Sequence, residues 1–106
     1  MPYIIETFDK PGHQAVRRQF REQHLRYLAE NSHLLLACGA KLDDEGTDLG
    51  GGLYIVDVDT RAEAEEFVCN DPFCKDADLF ERIVITRWRK AYVDGRCYLP
   101  EATGKS

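Results

Sequence analysis

Leu53-Tyr54-Ile55-Val56-Asp57-Val58 decides the fold. The run is dominated by β-branched and aromatic residues, the composition of a strand. Side chains alternate between the two faces of a strand. Leu53 and Ile55 therefore share one face, and Tyr54, Val56 and Val58 share the other. Both faces are apolar. A later run, Arg82 to Tyr92, repeats the pattern, with Ile83 and Ile85 opposite Val84 and Trp88.

On the C-terminal side of the first run, Thr60-Arg61-Ala62-Glu63 matches a capping box, in which Thr60 caps the Glu63 amide and Glu63 reaches back. A helix is expected from there to about Cys69, with Ala62, Phe67 and Val68 turned inward. Asp71-Pro72 stops it, because the residue before a proline is driven out of the helical region. On the N-terminal side, 43–52 reads as a polar, glycine-rich loop. Residues 33–42 form a continuous apolar run with one glycine, which fits a strand buried on both faces. Residues 14–31 read as a helix whose apolar half carries Val16, Phe20, Leu25, Tyr27 and Leu28. Residues 3–9, Tyr-Ile-Ile-Glu-Thr-Phe-Asp, read as the first strand, closed by Lys10-Pro11-Gly12.

The order is strand, helix, strand, strand, helix, strand. This is the split βαβ, ferredoxin-like arrangement, an α+β fold with a four-stranded antiparallel sheet. Its two helices can cover one sheet face only. The other apolar face needs a cover, and a second copy of the chain related by two-fold symmetry is the simplest one. A homodimer is therefore expected, with one domain over 1–92 and a C-terminal extension over 93–106.

Composition narrows the function. The chain has 106 residues, 43% of them hydrophobic, and a net charge of -5 from 19 acidic and 14 basic residues. That balance lacks the basic stripe of a nucleic-acid binder. No apolar run approaches the ~20 residues of a membrane span, and no signal peptide is legible. Cys38, Cys69, Cys74 and Cys97 have no zinc-knuckle or thioredoxin spacing. They read as free thiols in the cytoplasm, with Cys38 buried in its apolar run. Neither a metal site nor a cofactor motif is evident. Gly50-Gly51-Gly52 is followed by no Lys-Ser/Thr pair, so it is no phosphate loop. The acidic residues Asp43, Asp44, Glu45 and Asp48 lack the order of a calcium loop.

His24 lies between Phe20 and Leu28 in the apolar half of the first helix, flanked there by Arg17 and Arg21. It reads either as a core histidine satisfied by a backbone carbonyl or as a proton-transfer group beside a cleft. Asp71 reads either as the cap of a short helix begun by Pro72 or as a carboxylate that orients His24. Spacing alone does not bring the two together. Arg87, Arg89 and Lys90 read either as anion-binding groups or as solvent-facing charge.

Arg21-Glu22-Gln23-His24-Leu25, Glu30-Asn31, the Leu34-to-Gly39 strand, Asp71-Pro72-Phe73 and the strand Ile83-to-Tyr92 stand in the order found in YciI-like (YCII-related) proteins. The resemblance spans about residues 3–92. It implies a ferredoxin-like domain that dimerises as an α+β barrel. It further implies an active site of His24 and Asp71, with Arg21 and Gly39 on the substrate side. Ala40 stands where many members have proline, and the 43–52 segment and the tail are individual to this chain. By analogy, the expected function is cofactor-independent acid–base chemistry of the lyase, dehydrochlorinase or isomerase kind on a small cyclic molecule. The alternative is a dimer that binds or senses a small molecule without turning it over.

Overall fold

The computed structural model describes residues 1–100; positions 101–106 of the expected extension lie outside the described residues. Four strands form one antiparallel sheet: β1 (Tyr3–Asp9), β2 (Leu35–Leu42), β3 (Asp48–Val56) and β4 (Phe80–Arg87), in the order β2-β3-β1-β4. The helices are α1 (Gln14–Glu30), α2 (Arg61–Cys69) and the single turn α3 (Pro72–Lys75). This is the ferredoxin-like order expected. A short hairpin, β5 (Tyr92–Val93) with β6 (Arg96–Cys97), follows the sheet.

The register explains the faces. Ile5 lies between Tyr54 and Ile85, and Tyr3 beside Val56. These side chains meet Ala64, Phe67 and Val68 of α2 to form the core. Ala64 takes the inward place expected of Ala62, which is exposed. The capping box is present in both directions: Glu63 N–H donates to Thr60 Oγ1 at 3.1 Å, and Thr60 N–H to Glu63 Oε1 at 3.1 Å.

On the opposite face, Ile4 stands between Ile55 and Thr86, and Glu6 between Leu53 and Val84. Among the described residues, α2 packs on the Ile5 face and no helix packs on this one. Its centre is apolar, as the alternation of β3 requires. One end is charged: Lys41 bonds Glu6 at 3.3 Å and sits 3.5 Å over the Phe8 ring.

Other expectations change as well. β3 begins at Asp48, so Gly50-Gly51-Gly52 belongs to a strand and not to a loop. Gly51 has φ +141°, and a Cβ there would overlap the Thr7 carbonyl, so only glycine lets β1 and β3 close here. β2 is an edge strand and largely exposed, because the sheet order leaves it one neighbour. Cys38 is accordingly exposed. β4 ends at Arg87, five residues before the expected Tyr92.

Helix α1 departs most from a simple amphipathic element. None of its residues is fully buried, and its main packing partner is α3. It stands off the β2–β3 half of the sheet, and Leu25 is left 42% exposed. The space beneath it is the cavity described next.

Candidate active site

A cavity of about 760 Å³ opens between α1 and the β2–β3 side of the sheet. Its walls include Arg17 and His24 from α1, Cys38 and Gly39 from β2, Tyr54 from β3 and Phe73 from α3. Leu25, Leu42 and Leu49 are exposed side chains on its lining. The volume is that of a small-molecule site.

His24 and Asp71 meet. Nδ1 of His24 lies 2.7 Å and 2.9 Å from the two carboxylate oxygens of Asp71, although 47 residues separate them. The local sequence explains how. Asp71 is the N-cap of α3, with Pro72 in the first turn, and its Oδ1 accepts the Phe73 N–H at 2.9 Å. Capping fixes the carboxylate, and its remaining lone pairs face α1. The rotamer that caps α3 is also the one that meets His24.

Asp71 is fully buried, and among the described residues it is met by two backbone or hydroxyl donors and by the His24 ring. Tyr54 O–H donates to Oδ2 at 2.6 Å, alongside His24 and the Phe73 amide. The Tyr54 hydroxyl and the Phe73 amide occupy one lone pair on each oxygen and leave the others facing His24 Nδ1. Burial and the Asp71 charge push the Tyr54 hydroxyl well above its ordinary range, so it remains a donor. Because a carboxylate only accepts, the imidazole proton belongs on Nδ1, which leaves the Nε2 lone pair free. Among the described residues, no protein group bonds Nε2.

The ring is held as firmly as the proton. His24 stacks on Phe73 at 4.0 Å between centroids and 15° between planes, with Tyr54 edge-on at 6.3 Å. Phe73 is itself buried. Its ring also carries the Arg17 guanidinium 4.7 Å from the centroid, and Arg17 is bonded twice to Asp9, at 2.6 Å and 3.1 Å. Burial opposes the Arg17 charge, but the hydrogen bond and charge of Asp9 outweigh it and leave the pKa raised.

Of the expected substrate-side residues, Arg21 is exposed and contributes to the cavity lining. Gly39 lines it too, with open space where a Cβ would stand. Arg87 and Arg89 lie on a separate small pocket with Met1 and Trp88, and Lys90 sits over Tyr98. Asp43 accepts the amides of Glu45 and Thr47, which accounts for one of the loop carboxylates. Among the described residues, no group of three His, Cys, Asp or Glu side chains is gathered to hold a metal.

Sequence reasoning missed Tyr54, Phe73 and the Arg17–Asp9 pair. Tyr54 carried a signal, because a tyrosine on a buried strand face needs a partner for its hydroxyl. Arg17 carried one too: it lies seven residues before His24, two turns along the same helical face.

The YCII-related domain model matches residues 1–89. The chain is 33% identical to 5-chloro-2-hydroxyhydroquinone dehydrochlorinase (TftG) from Burkholderia phenoliruptrix AC1100, solved in complex with 2,5-dihydroxybenzoquinone. That likeness has a TM-score of 0.74 and covers 84% of this chain and 94% of the other. A putative antibiotic biosynthesis monooxygenase from Bacteriodes thetaiotaomicron VPI-5482 shares the fold at a TM-score of 0.55 and 11% identity, over 89% of this chain and 91% of that one. No curated protein sequence matches the chain. Among the described residues, no helix is long and apolar enough to cross a membrane. The family model spans nearly the whole described chain, and the ferredoxin-like topology agrees with it: the chain belongs to the YCII-related family.

Proposed function

We propose that the protein is a cofactor-independent enzyme that moves protons on a small hydroxylated ring, with His24 as the acid–base group. The single observation that carries this reading is the His24–Asp71 couple, whose free Nε2 belongs to a residue lining a cavity of ligand size. Asp71 holds the tautomer and stabilises the imidazolium that forms when Nε2 takes a proton. Tyr54 and the Phe73 amide hold Asp71. Such acid–base assistance is worth roughly 10²–10⁴-fold in rate.

The likeness to a dehydrochlorinase of a chlorinated hydroxyhydroquinone suggests elimination as the reaction. Nε2 would take the proton of a ring hydroxyl and return it to the halogen-bearing carbon, giving a ketone tautomer. The halide then leaves with the carbon–halogen pair. The electrons of a second O–H bond form the new C=O, and that proton leaves with the halide as HX. The ring becomes a hydroxyquinone, and no external oxidant is consumed.

We further infer that two chains associate through the open sheet face, where Ile4, Leu53, Ile55 and Val84 present apolar side chains that α1 and α2 do not cover.

The test is turnover of 5-chloro-2-hydroxyhydroquinone, followed by chloride release and quinone absorbance. His24→Ala is expected to lower the rate by roughly 10²-fold or more with the far-UV spectrum unchanged. Equal turnover by the variant would remove His24 from the chemistry.

A further inference from the structure

The Arg17–Asp9 pair is not needed to hold His24, yet it lies in the same cavity and touches the same aromatic ring. A guanidinium has five N–H donors. Two of them meet Asp9: Nε–H to Oδ2 at 2.6 Å and one Nη2–H to Oδ1 at 3.1 Å. Among the described residues, the remaining three have no protein acceptor. None of these nitrogens is sealed off unpartnered, because every buried side-chain nitrogen or oxygen has a partner. Nη1, which has no protein partner, therefore keeps some exposure, and Arg17 is one of the residues that line the cavity.

Phe73 fixes the spacing between this group and His24. The imidazole centroid is 4.0 Å from the Phe73 centroid and the guanidinium carbon 4.7 Å, so the two lie no more than about 8.7 Å apart. That upper bound puts both groups within reach of one six-membered ring lying along the cavity, with its two hydrogen bonds bent off the O···O axis and not in line with it. We infer that Arg17 is the anion-holding residue of the cavity: it receives the ionised oxygen of a planar hydroxyquinone-type ring whose far oxygen meets His24. This rests on the proposed function and names the ligand class and the residue that selects it.

Two carboxylates, Asp9 and Asp48, face the guanidinium. They offset part of its charge. Selection then depends on the direction of the free N–H groups more than on charge alone. Asp9 supplies that direction by pinning the other edge of the fork in advance. Lysine, a point donor without a fork, would not reproduce it. Arg21, by contrast, is exposed, and among the described residues no hydrogen bond or ion pair fixes its aim.

The experiment is calorimetric binding of two probes to the full chain: 2,5-dihydroxybenzoquinone, which is anionic near neutral pH, and hydroquinone, which is neutral and of the same ring size. Arg17→Lys and Arg17→Met are compared with the unaltered protein, with thermal unfolding as the check on folding. Arg17→Met removes both bonds to Asp9; Arg17→Lys keeps a cation beside it and carries the test if the methionine variant fails to fold. The expected result is a roughly 10- to 100-fold loss for the anionic probe in both variants and a change within roughly threefold for the neutral one. An equal loss for both probes would make Arg17 a structural residue and overturn the inference, as would no loss for either. Binding of neither probe by the unaltered protein would overturn the proposed function and this inference together.

Discussion

Asp71→Asn removes one charge and adds two N–H donors at a site where everything faces an acceptor. The buried carboxylate receives His24 Nδ1–H, Tyr54 O–H and the Phe73 amide. Asparagine keeps a single carbonyl oxygen. If that oxygen stays on the Phe73 amide, the new NH₂ points at Tyr54 or at His24. Against His24 it forces the proton from Nδ1 to Nε2, and the imidazole then shows the cavity a donor in place of a lone pair. Turnover should fall by roughly 10²–10⁴-fold. Hydrogen bonds to a charged group are worth ~1.5–3 kcal/mol each. With about half of that set lost, stability should fall by ~2–4 kcal/mol, or roughly 10–25 °C in melting temperature for a domain of this size. Chloride release on 5-chloro-2-hydroxyhydroquinone and a thermal melt read the two effects separately. A variant that keeps both its activity and its melting temperature would refute the reasoning, because the carboxylate would then neither steer the tautomer nor carry the buried network.

Other consequences are as direct. Tyr27 is pushed up to about 12, first by burial and then by the charge of Asp71, and Tyr54 is raised further in the same direction. A tyrosine whose folded pKa exceeds its unfolded value of ~10 contributes stability that is fully present below pH ~10 and is lost as pH rises towards the folded pKa. Absorbance titration at 295 nm should leave these two tyrosines un-ionised at pH 11, and alkaline unfolding should accompany their late ionisation. Although Cys38 is exposed as a residue, partial desolvation of its sulfur on the cavity wall, then the Asp71 charge, raises the thiol, so alkylation followed by peptide mapping should modify Cys38 more slowly in the folded chain than in urea. Gly51→Ala should cost upwards of ~3 kcal/mol in urea unfolding, since its φ of +141° and the nearby Thr7 carbonyl leave no room for a methyl group. Sedimentation should return twice the 12.1 kDa chain mass, and Ile55→Glu on the open sheet face should return the single-chain mass.

The fold was legible because its signals are local. Alternation in 53–58 set the faces of the central strand, the Thr60–Glu63 box set the start of α2, and Asp71-Pro72 set its end. The edges were less legible, for physical reasons. Gly50-Gly51-Gly52 has the composition of a loop, yet it is a strand, because glycine alone permits the close approach to Thr7. The apolar run 33–42 suggested double burial, but apolarity does not distinguish a central strand from an edge strand that lines a cavity. Leu25 and Cys38 fall on that cavity for the same reason: α1 stands away from the sheet there.

The proposed site was legible as two separate candidate residues, while their meeting and their support were opaque. His24 drew attention as a titratable group in an apolar stripe. Asp71 drew attention as a cap, and nothing in the spacing showed that a cap could serve a helix 47 residues away. Tyr54, Phe73 and the Arg17–Asp9 pair depend on long-range packing of α3 against α1, which no local pattern encodes.

The most direct measurement is a structure of the protein with 2,5-dihydroxybenzoquinone bound. The account predicts the ring inside the α1–sheet cavity, one oxygen within hydrogen-bond distance of His24 Nε2, and Nδ1 still on Asp71. A ligand bound elsewhere, or an imidazole turned so that Nε2 faces Asp71, would contradict it.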